Sequence, residues 1–362
     1  MEYNIQGHRP SKKRLLAALK GTEMDKVPLF EHYIDNMIVE KILGYSAGNT
    51  CAAVGDPYRG DERASACGDM VIPMHPEDFK KVCNTICQDS MMVVACYTPF
   101  RKLNSEGKPE LINDGSIKSR KDWKKVILPT SADVEDRMSY LRKYNEAAKG
   151  TDIAVTLQAG NMFVPVYRNL CGGDLFRLIY DEPAMVDEIL NVEAEYFFNI
   201  VKAALKEGFD VLMAGDDLAH KHGMMIDPEL LEKLYVPRAK KFYEPVMDAD
   251  IPIIFDCDGN PTKIMDMILN LGCSAIFPID ANGLDYHDFK KKYGDRICMY
   301  GAIDTDIPIR GTAAETKNYV KDVVLTCKKN GRFVAGTISD VNQMPYENFV
   351  TIINTIHEFG RY

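Results

Sequence analysis

The sequence lacks several features that would assign it to a large functional class. No apolar run approaches the roughly 18–20 residues that a membrane-spanning helix needs, and no secretory leader is recognisable at the N-terminus. There is no Gly-x-Gly-x-x-Gly fingerprint after the first predicted strand and no Walker loop, which disfavours a nucleotide-binding sheet. Positive charge is also in short supply: 44 Lys and Arg face 53 Asp and Glu, for a net charge of −9. That balance argues against nucleic acid as a partner, and we expect a cytoplasmic protein.

A disulfide framework is not expected either. The ten cysteines are scattered through 362 residues, whereas disulfide-rich secreted domains are short and dense in cysteine. Cys83 and Cys87 have helical spacing, and no second pair completes a zinc knuckle. We therefore interpret the cysteines as reduced thiols.

What the sequence does contain is a repeated unit: an apolar run that ends in Asp and is followed by a helical pattern. The clearest example is Ile251–Asn260, in which a buried strand leads into Asp256, Cys257 and Asp258. Strands are predicted near residues 28, 70 or 92, 153, 211, 252, 275, 297 and 333. Eight such units predict a single (β/α)8 TIM barrel over residues 1–362. The prediction is completed by an N-terminal helix at 11–21, with Ser11 as its N-cap and Gly21 at its C-terminal end, and by a helix at Pro228–Tyr235. An irregular insertion at 45–125 is predicted to contain a hairpin near Asn104–Gly107 and Asp114–Gly115.

The carboxyl ends of barrel strands meet at one mouth, where enzymes of this architecture carry their chemistry. Each strand-end Asp could simply cap a helix. So many carboxylates at one place, however, should raise some of their pKa values unless a metal, a shared proton or a cationic partner compensates. The polar residues predicted to reach the mouth are Glu31, His32, Asn161, Asp216, Asp217, His220, His222, Asp256, Asp258, Asp280, Asp304 and Asp340.

Three neighbouring groups leave their roles open. His220 and His222 could bind a metal, contact a substrate as acid or base, or make ordinary loop hydrogen bonds. Cys257 could supply a thiolate ligand or be an inert buried thiol. Cys298 is predicted to lie deeper in its strand, which favours a core position.

The order of several short motifs resembles the uroporphyrinogen-decarboxylase superfamily over almost the whole chain. The resemblance implies a (β/α)8 barrel that often forms homodimers. The matching segments are Arg14–Gly21 with Asp25–Pro28, Asp216-Asp217 with Ile226–Glu229 and Pro237, Phe255–Asn260, Phe277–Asp280, and Gly294–Ile297 with Tyr300–Asp304.

Differences within that superfamily narrow the expected activity. The haem-pathway decarboxylase carries an Arg-rich stretch after its first strand, whereas residues 30–36 here contain no Arg. Coenzyme M methyltransferases carry His-x-Cys where this chain has Asp256–Asp258, and a second Cys near Ser339–Asp340. The resemblance therefore points to the first methyltransferases of corrinoid-dependent O-demethylase systems, in anaerobic one-carbon metabolism.

That branch implies transfer of a methyl group from a small methylated substrate, such as a methoxylated aromatic, to the Co(I) corrinoid (cobalamin) of a partner protein. Alternatives are a cofactor-free decarboxylase of a small acid, a methylcobamide-to-thiol or -folate methyltransferase, and a barrel that only binds partners. The expected catalytic residues are Asp217, His220, His222, Asp256, Asp258 and Asp340. Substrate contacts are expected from Glu31, His32, Asn161, Met162, Asp280 and Asp304. Some members bind zinc through an acid and two cysteines, a spacing approximated here by Glu229, Cys257 and Cys298.

Overall fold

The computed structural model describes residues 2–3, 5, 7–50, 63–64, 70–71, 74–281, 283–338 and 343–362. In the first half of the chain the elements are α1 (Lys12–Lys20), α2 (Asn36–Leu43), β1 (Arg63–Ala64), β2 (Met70–Val71), α3 (Pro76–Ile86), β3 (Ser90–Val94), β4 (Arg101–Leu103), β5 (Pro109–Leu111), α4 (Arg120–Trp123), α5 (Ser131–Ala148), β6 (Ala154–Gln158) and α6 (Leu175–Asp181). The remaining elements are α7 (Pro183–Glu207), β7 (Val211–Gly215), β8 (Ala219–His220), β9 (Gly223–Met224), α8 (Pro228–Asp248), β10 (Ile253–Asp256), α9 (Met265–Asn270), β11 (Ala275–Phe277), α10 (Tyr286–Tyr293), β12 (Cys298–Tyr300), α11 (Asp306–Arg310), α12 (Ala313–Cys327), β13 (Phe333–Val334) and α13 (Tyr346–Phe359).

Seven of these strands form one curled parallel sheet, in the order β13-β12-β11-β10-β7-β6-β3. Consecutive strands pair in register, for example Asp256 with Gly215 on one side and with Phe277 on the other. Because parallel neighbours are joined through helices, the strand ends that follow the chain direction all lie at the same edge.

An extended segment near Leu29 joins the two outer strands of this sheet. Leu29 makes a parallel bridge to Ala335, just after β13. On its other side its carbonyl accepts a hydrogen bond of 2.8 Å from the backbone N–H of Asp89, just before β3. The segment thus takes the place of the eighth strand in the barrel wall. The predicted TIM-barrel fold is confirmed.

Alternation along the strands separates two apolar cores. Met213, Ile254 and Cys298 belong to the smaller core inside the barrel. Their neighbours Leu212 and Ile253 belong to the larger core between the sheet and the helices. Asp256 is two residues after Ile254, so its side chain also lies on the inner side of the barrel wall.

Helix α1 closes the amino-terminal end of the barrel, as Leu15, Ala18 and Leu19 pack into the inner core. The predicted caps are confirmed: the Ser11 side chain accepts from the N–H of Arg14, and Gly21 ends the helix with φ at 69°. A left-handed residue is the usual C-terminal signal of a helix.

The structure decides between two alternatives at one strand and corrects the predicted end of one helix. The second barrel strand is β3 and not the alternative near residue 70, because Met70–Val71 pairs antiparallel with Arg63–Ala64 outside the main sheet. Helix α8 does not end at Tyr235 but continues through Pro237 and Pro245 to Asp248. Its buried residues Phe242 and Val246 explain this, because packing of the last turns outweighs the missing backbone bonds.

The irregular region contains the predicted hairpin, formed by β4 and β5. No disulfide joins the cysteines in the described segments, where all eight are free and buried. In the same segments no helix is both long and apolar enough to cross a membrane.

Candidate active site

A chain of three polar groups crosses the carboxyl-terminal end of the barrel. Nε2 of Gln158 donates a hydrogen bond of 3.2 Å to Oδ2 of Asp256 and lies 3.4 Å from Nε2 of His32. The three residues follow or end different strands, so only the closed barrel brings them together. Gln158 is 2% exposed, which fixes the amide between its two partners.

The ionisation of this chain follows from its burial. Removal from water raises the pKa of Asp256 well above its ordinary range, and the nearby carboxylates of Asp217 and Asp258 raise it further. Burial lowers the pKa of His32 to about 4. Near neutral pH the imidazole is therefore neutral, and the raised pKa of Asp256 favours its protonated carboxylic acid. A carboxyl group in this state can donate a proton, as a general acid must.

Aromatic rings form the floor beside these groups. The ring of Phe277 lies 5.0 Å from that of His32 and 4.4 Å from that of Tyr300. Tyr300 in turn stacks on Phe30 at 5.3 Å with an interplanar angle of 9°. Flat apolar surfaces next to a small number of polar groups are typical of sites for aromatic ligands.

Asp217 and Arg168 lie further out on the rim. Nη2 of Arg168 lies 3.0 Å from Oδ2 of Asp217, whose Oδ1 accepts a hydrogen bond of 3.2 Å from the backbone N–H of Asp258. Arg168 projects from a π-helical turn at Val166–Leu170. Turns of this kind occur often at functional sites.

Asp216 has a structural role in spite of its position at the end of β7. Its two carboxyl oxygens accept hydrogen bonds of 2.6–2.7 Å from the backbone N–H groups of Met162, Phe163 and Val164. Burial raises the pKa of Asp216 to about 8, although the three hydrogen bonds act in the opposite direction and lower it. The carboxyl group holds the loop that follows β6.

Two other strand-end aspartates, Asp280 and Asp304, also accept hydrogen bonds from backbone N–H groups. Oδ2 of Asp280 accepts a hydrogen bond of 3.0 Å from the N–H of Gly259. Oδ1 of Asp304 accepts one of 2.9 Å from the N–H of Asp306, at the start of α11. These contacts match the capping role that the sequence left open, and substrate contact by either residue stays a prediction.

The remaining predicted substrate contacts differ in burial. Glu31 is fully buried; its Oε2 accepts 2.7 and 3.1 Å hydrogen bonds from the hydroxyl and N–H of Thr337. Its Oε1 and the Oδ1 of Asn161 find no hydrogen-bond partner among the described residues. Met162 lies wholly inside the larger apolar core. Its contact with substrate stays a prediction.

His220 and His222 lie at the tip of the small β8–β9 hairpin, and both are exposed. Nδ1 of His220 accepts a hydrogen bond of 3.1 Å from the N–H of His222, and the two rings are 5.8 Å apart. The hairpin lies over the loop after β10, where the N–H of Asn260 donates to the carbonyl of His220. Asp340 lies outside the described residues.

The suggested zinc ligands do not form a common site. Glu229 is exposed at the start of α8, whereas Cys257 and Cys298 are buried. The register places Cys298 level with Ala275, two residues before the level of Asp256, while Cys257 follows Asp256. Three residue steps along a strand separate the two cysteines by about 10 Å. In the described parts of the chain, no three His, Cys, Asp or Glu side chains could hold a metal ion together.

Sequence reasoning missed Gln158, Arg168 and the aromatic floor. A usable signal existed for Gln158, since a polar residue ends the otherwise apolar β6. No sequence signal indicated Arg168, because its contact with Asp217 depends on a π-helical turn. The aromatic rings were interpretable only as core.

One protein-family model and several solved structures match this chain. The family model described as uroporphyrinogen decarboxylase (URO-D) matches residues 172–359. A methyltransferase from Methanosarcina mazei has a similar structure, with a TM-score of 0.65 and 16% sequence identity over 97% of this chain and 99% of that chain. A B12-independent methionine synthase from Shewanella sp. W3-18-1 matches at a TM-score of 0.42 and 13% identity, over 64% of this chain and 66% of that chain. A search of curated protein sequences gives no match.

Proposed function

The chain belongs to the uroporphyrinogen decarboxylase family, and from this premise we propose that it is a methyltransferase of the corrinoid-dependent branch. Its substrate would be a small methoxylated aromatic compound, and the acceptor the Co(I) corrinoid of a separate partner protein. The observation that carries the proposal is the carboxyl group of Asp256, which has a raised pKa and is held by Gln158 beside His32 and Phe277. The overall structural likeness to a methyltransferase supports it.

The bound corrinoid would supply the nucleophile that accepts the methyl group, so this chain needs none of its own. Breaking the methyl–oxygen bond leaves a negative charge on the substrate oxygen. Asp256 would transfer its carboxyl proton to that oxygen, and the resulting carboxylate would later recover a proton from solvent. Protonation of a poor leaving group by a positioned acid contributes roughly 10²–10⁴-fold to a rate.

The other groups would orient the acid and the ring. Gln158 donates to Oδ2 of Asp256, which leaves Oδ1 to carry the transferable proton. Phe277, the least buried of the three aromatic rings, would be the one against which a methoxyarene packs. His32 lines the same space as a neutral imidazole. It therefore adds no positive charge, which would lower the pKa of Asp256.

The direct test mixes the protein with a methoxyarene, with and without a reduced corrinoid protein. Phenol formation together with the absorbance change from Co(I) to methylated cobalt is expected only in the complete mixture. Phenol formed without corrinoid protein, or no methylation across a panel of methoxyarenes, would contradict the proposal.

A second candidate is decarboxylation of a small aromatic acid. The same protonated Asp256 could protonate the carbanion left when CO₂ departs, and Arg168 places a guanidinium at the rim. The rim carboxylates disfavour it, because Asp217 and Asp258 would repel an anionic substrate. Release of CO₂ in the absence of corrinoid would favour this function over methyl transfer.

A further inference from the structure

A cavity of about 600 Å³ lies at the opposite end of the barrel from the candidate active site. The cavity is lined by residues just before and within α1, by Asp25 and Lys26 just before the extended segment at Leu29, and by the C-terminal segment. Four basic side chains line it, Arg9, Arg14, Lys26 and Arg361, together with Asp25 and Asp152.

Lys26 is the most unusual member of this group. The side chain is 5% exposed, yet in the described chain its ammonium contacts no carboxylate. Its Nζ lies 2.5 Å from Nδ1 of His8 and 3.3 Å from Nδ1 of His357. His357 Nε2 lies 2.9 Å from the carbonyl of Ile86, which makes Nε2 the protonated nitrogen and Nδ1 an acceptor. An ammonium has three N–H donors, so one remains beyond the two imidazoles.

The acidic residues of the cavity do not neutralise this cation. Both oxygens of Asp25 are bound by Arg14, at 2.8 and 3.0 Å. Arg14 also contacts the buried carboxylate of Asp89 at 3.0 Å. Asp25 and Asp89 together thus engage the charge of Arg14.

Four positive charges, on Arg9, Arg14, Lys26 and Arg361, thus face three carboxylates, Asp25, Asp89 and Asp152, which leaves a net charge of one positive. Arg9 and Arg361 are both exposed, and neither forms an ion pair with any described residue. Buried cations are normally paired, because an isolated charge away from water is costly. An unpaired buried ammonium beside two unpaired guanidinium groups is the arrangement that proteins use to hold an oxyanion.

We propose that this cavity binds a single phosphate group, either free phosphate or the phosphate of a small monoester. Lys26 would donate from within, and Arg9 and Arg361 would donate from the rim. A polyphosphate does not suit the site, because Asp152 lines the same cavity and would repel additional negative charge. The ligand would tie the N-terminal segment to the C-terminal segment, where Lys26 and Arg361 already form an antiparallel bridge.

Binding at this end of a barrel is expected to stabilise the fold and not to participate in catalysis. The proposal is independent of the methyl-transfer function, because none of these residues lies at the mouth. Loss of phosphate binding should therefore leave the chemistry at Asp256 unchanged.

The test is calorimetric titration of the full-length protein with inorganic phosphate and, separately, with glycerol 3-phosphate, at constant ionic strength. Saturable binding is expected, and an Arg9→Gln/Arg361→Gln double variant should bind at least about tenfold more weakly. Arg296→Gln is the matched control: its side chain is exposed, just before β12, and does not line the cavity. Binding of both ligands indicates recognition of the phosphate group, and binding of inorganic phosphate alone indicates the free ion.

Thermal unfolding provides a second measurement, because phosphate also stabilises proteins non-specifically. The wild-type protein and Arg296→Gln should gain more in Tm from phosphate than the double variant does. Equal gains in all three proteins, or no saturable heat of binding to the wild type, would overturn the proposal. Lys26→Gln, which keeps donors for the two imidazoles, should also bind phosphate more weakly.

Discussion

Oδ2 of Asp256 accepts a hydrogen bond of 3.2 Å from Nε2 of Gln158, although 98 positions separate the two residues in the chain. This contact orients a carboxyl group whose pKa is raised by burial and by two neighbouring carboxylates. The chemistry proposed for the site depends on protonation of that carboxyl group, and the predictions that follow test its position, its pKa and its surroundings.

Asp256→Asn should reduce kcat/KM for methyl transfer by about 10²-fold or more, since an amide cannot act as a general acid. Folding should be retained, because the amide matches the neutral form of the carboxyl group in size and charge. Steady-state kinetics and circular dichroism check both points. Asp266→Asn, at a position 87% exposed on α9, is the control and should keep full activity. Wild-type kinetics in Asp256→Asn would remove the acid from the mechanism.

Activity should fall at high pH, as Asp256 loses its proton. The carboxylate of Asp258 raises the pKa of Asp256, so Asp258→Asn should lower that pKa and move the alkaline limb of the kcat/KM profile to lower pH. The shift should be at most about one pH unit, because Asp258 is exposed and its field is screened. A limb that moves to higher pH would contradict the assigned coupling.

His32 should make the folded state sensitive to acid. Its pKa is lowered from 6.5 to about 4 by burial, so the unfolded chain binds more protons between these values. The stability it contributes is present above pH 6.5 and is lost as the pH falls to about 4, by about 3 kcal/mol. Urea denaturation of the wild type and His32→Gln should diverge over this window, whereas exposed His287→Gln should follow the wild type. Parallel pH profiles of His32→Gln and the wild type would refute a neutral buried imidazole.

Gly215 should tolerate no side chain. Its φ is +134°, and a Cβ placed there would lie 2.4 Å from the carbonyl oxygen of Asp256 and 2.5 Å from its backbone nitrogen. Gly215→Ala should therefore lower the free energy of unfolding by about 2–4 kcal/mol and displace the acid, with loss of activity. Gly150→Ala, also at positive φ but with open space around the added Cβ, separates backbone strain from this clash. Equal destabilisation by the two substitutions would show that the clash is relieved.

Cys298→Ser should leave methyl transfer within about twofold of wild type, because the thiol is buried in the inner core below the site. Placing a hydroxyl there should cost about 1–2 kcal/mol of stability. Activity assays and zinc analysis after purification without chelators check the assignment. Loss of bound zinc together with activity, in a variant that remains folded, would restore Cys298 as a metal ligand.

Periodicity and local signals predicted the fold well. Apolar runs located seven of the eight barrel strands and left the second open between residues near 70 and near 92. The caps at Ser11 and Gly21 were predicted from residue type alone. These features depend on neighbours within a few residues. Helix α8 exceeded its predicted end at Tyr235 because long-range packing of Phe242 and Val246 opposed the local effect of Pro237.

The sequence predicted which aspartates lie near the candidate site, and it did not predict the role of each one. The sequence placed carboxylates at strand ends, and by itself it could not separate Asp256 from the aspartates that accept backbone N–H groups. Asp216, Asp280 and Asp304 accept backbone N–H groups, whereas Asp256 faces His32 through Gln158. The single-domain boundaries, the dimer and the role of Asp340 stay predictions.

The sequence alone determined the alternation of strands and helices and the acidic character of the strand ends, since both follow from residue type and spacing. Tertiary structure decided which acid lies beside Gln158 and His32, because that depends on strand register and on closure of the barrel near Leu29. A shift of one residue in β10 would turn Asp256 away from the barrel interior, and no local pattern in the sequence specifies that register.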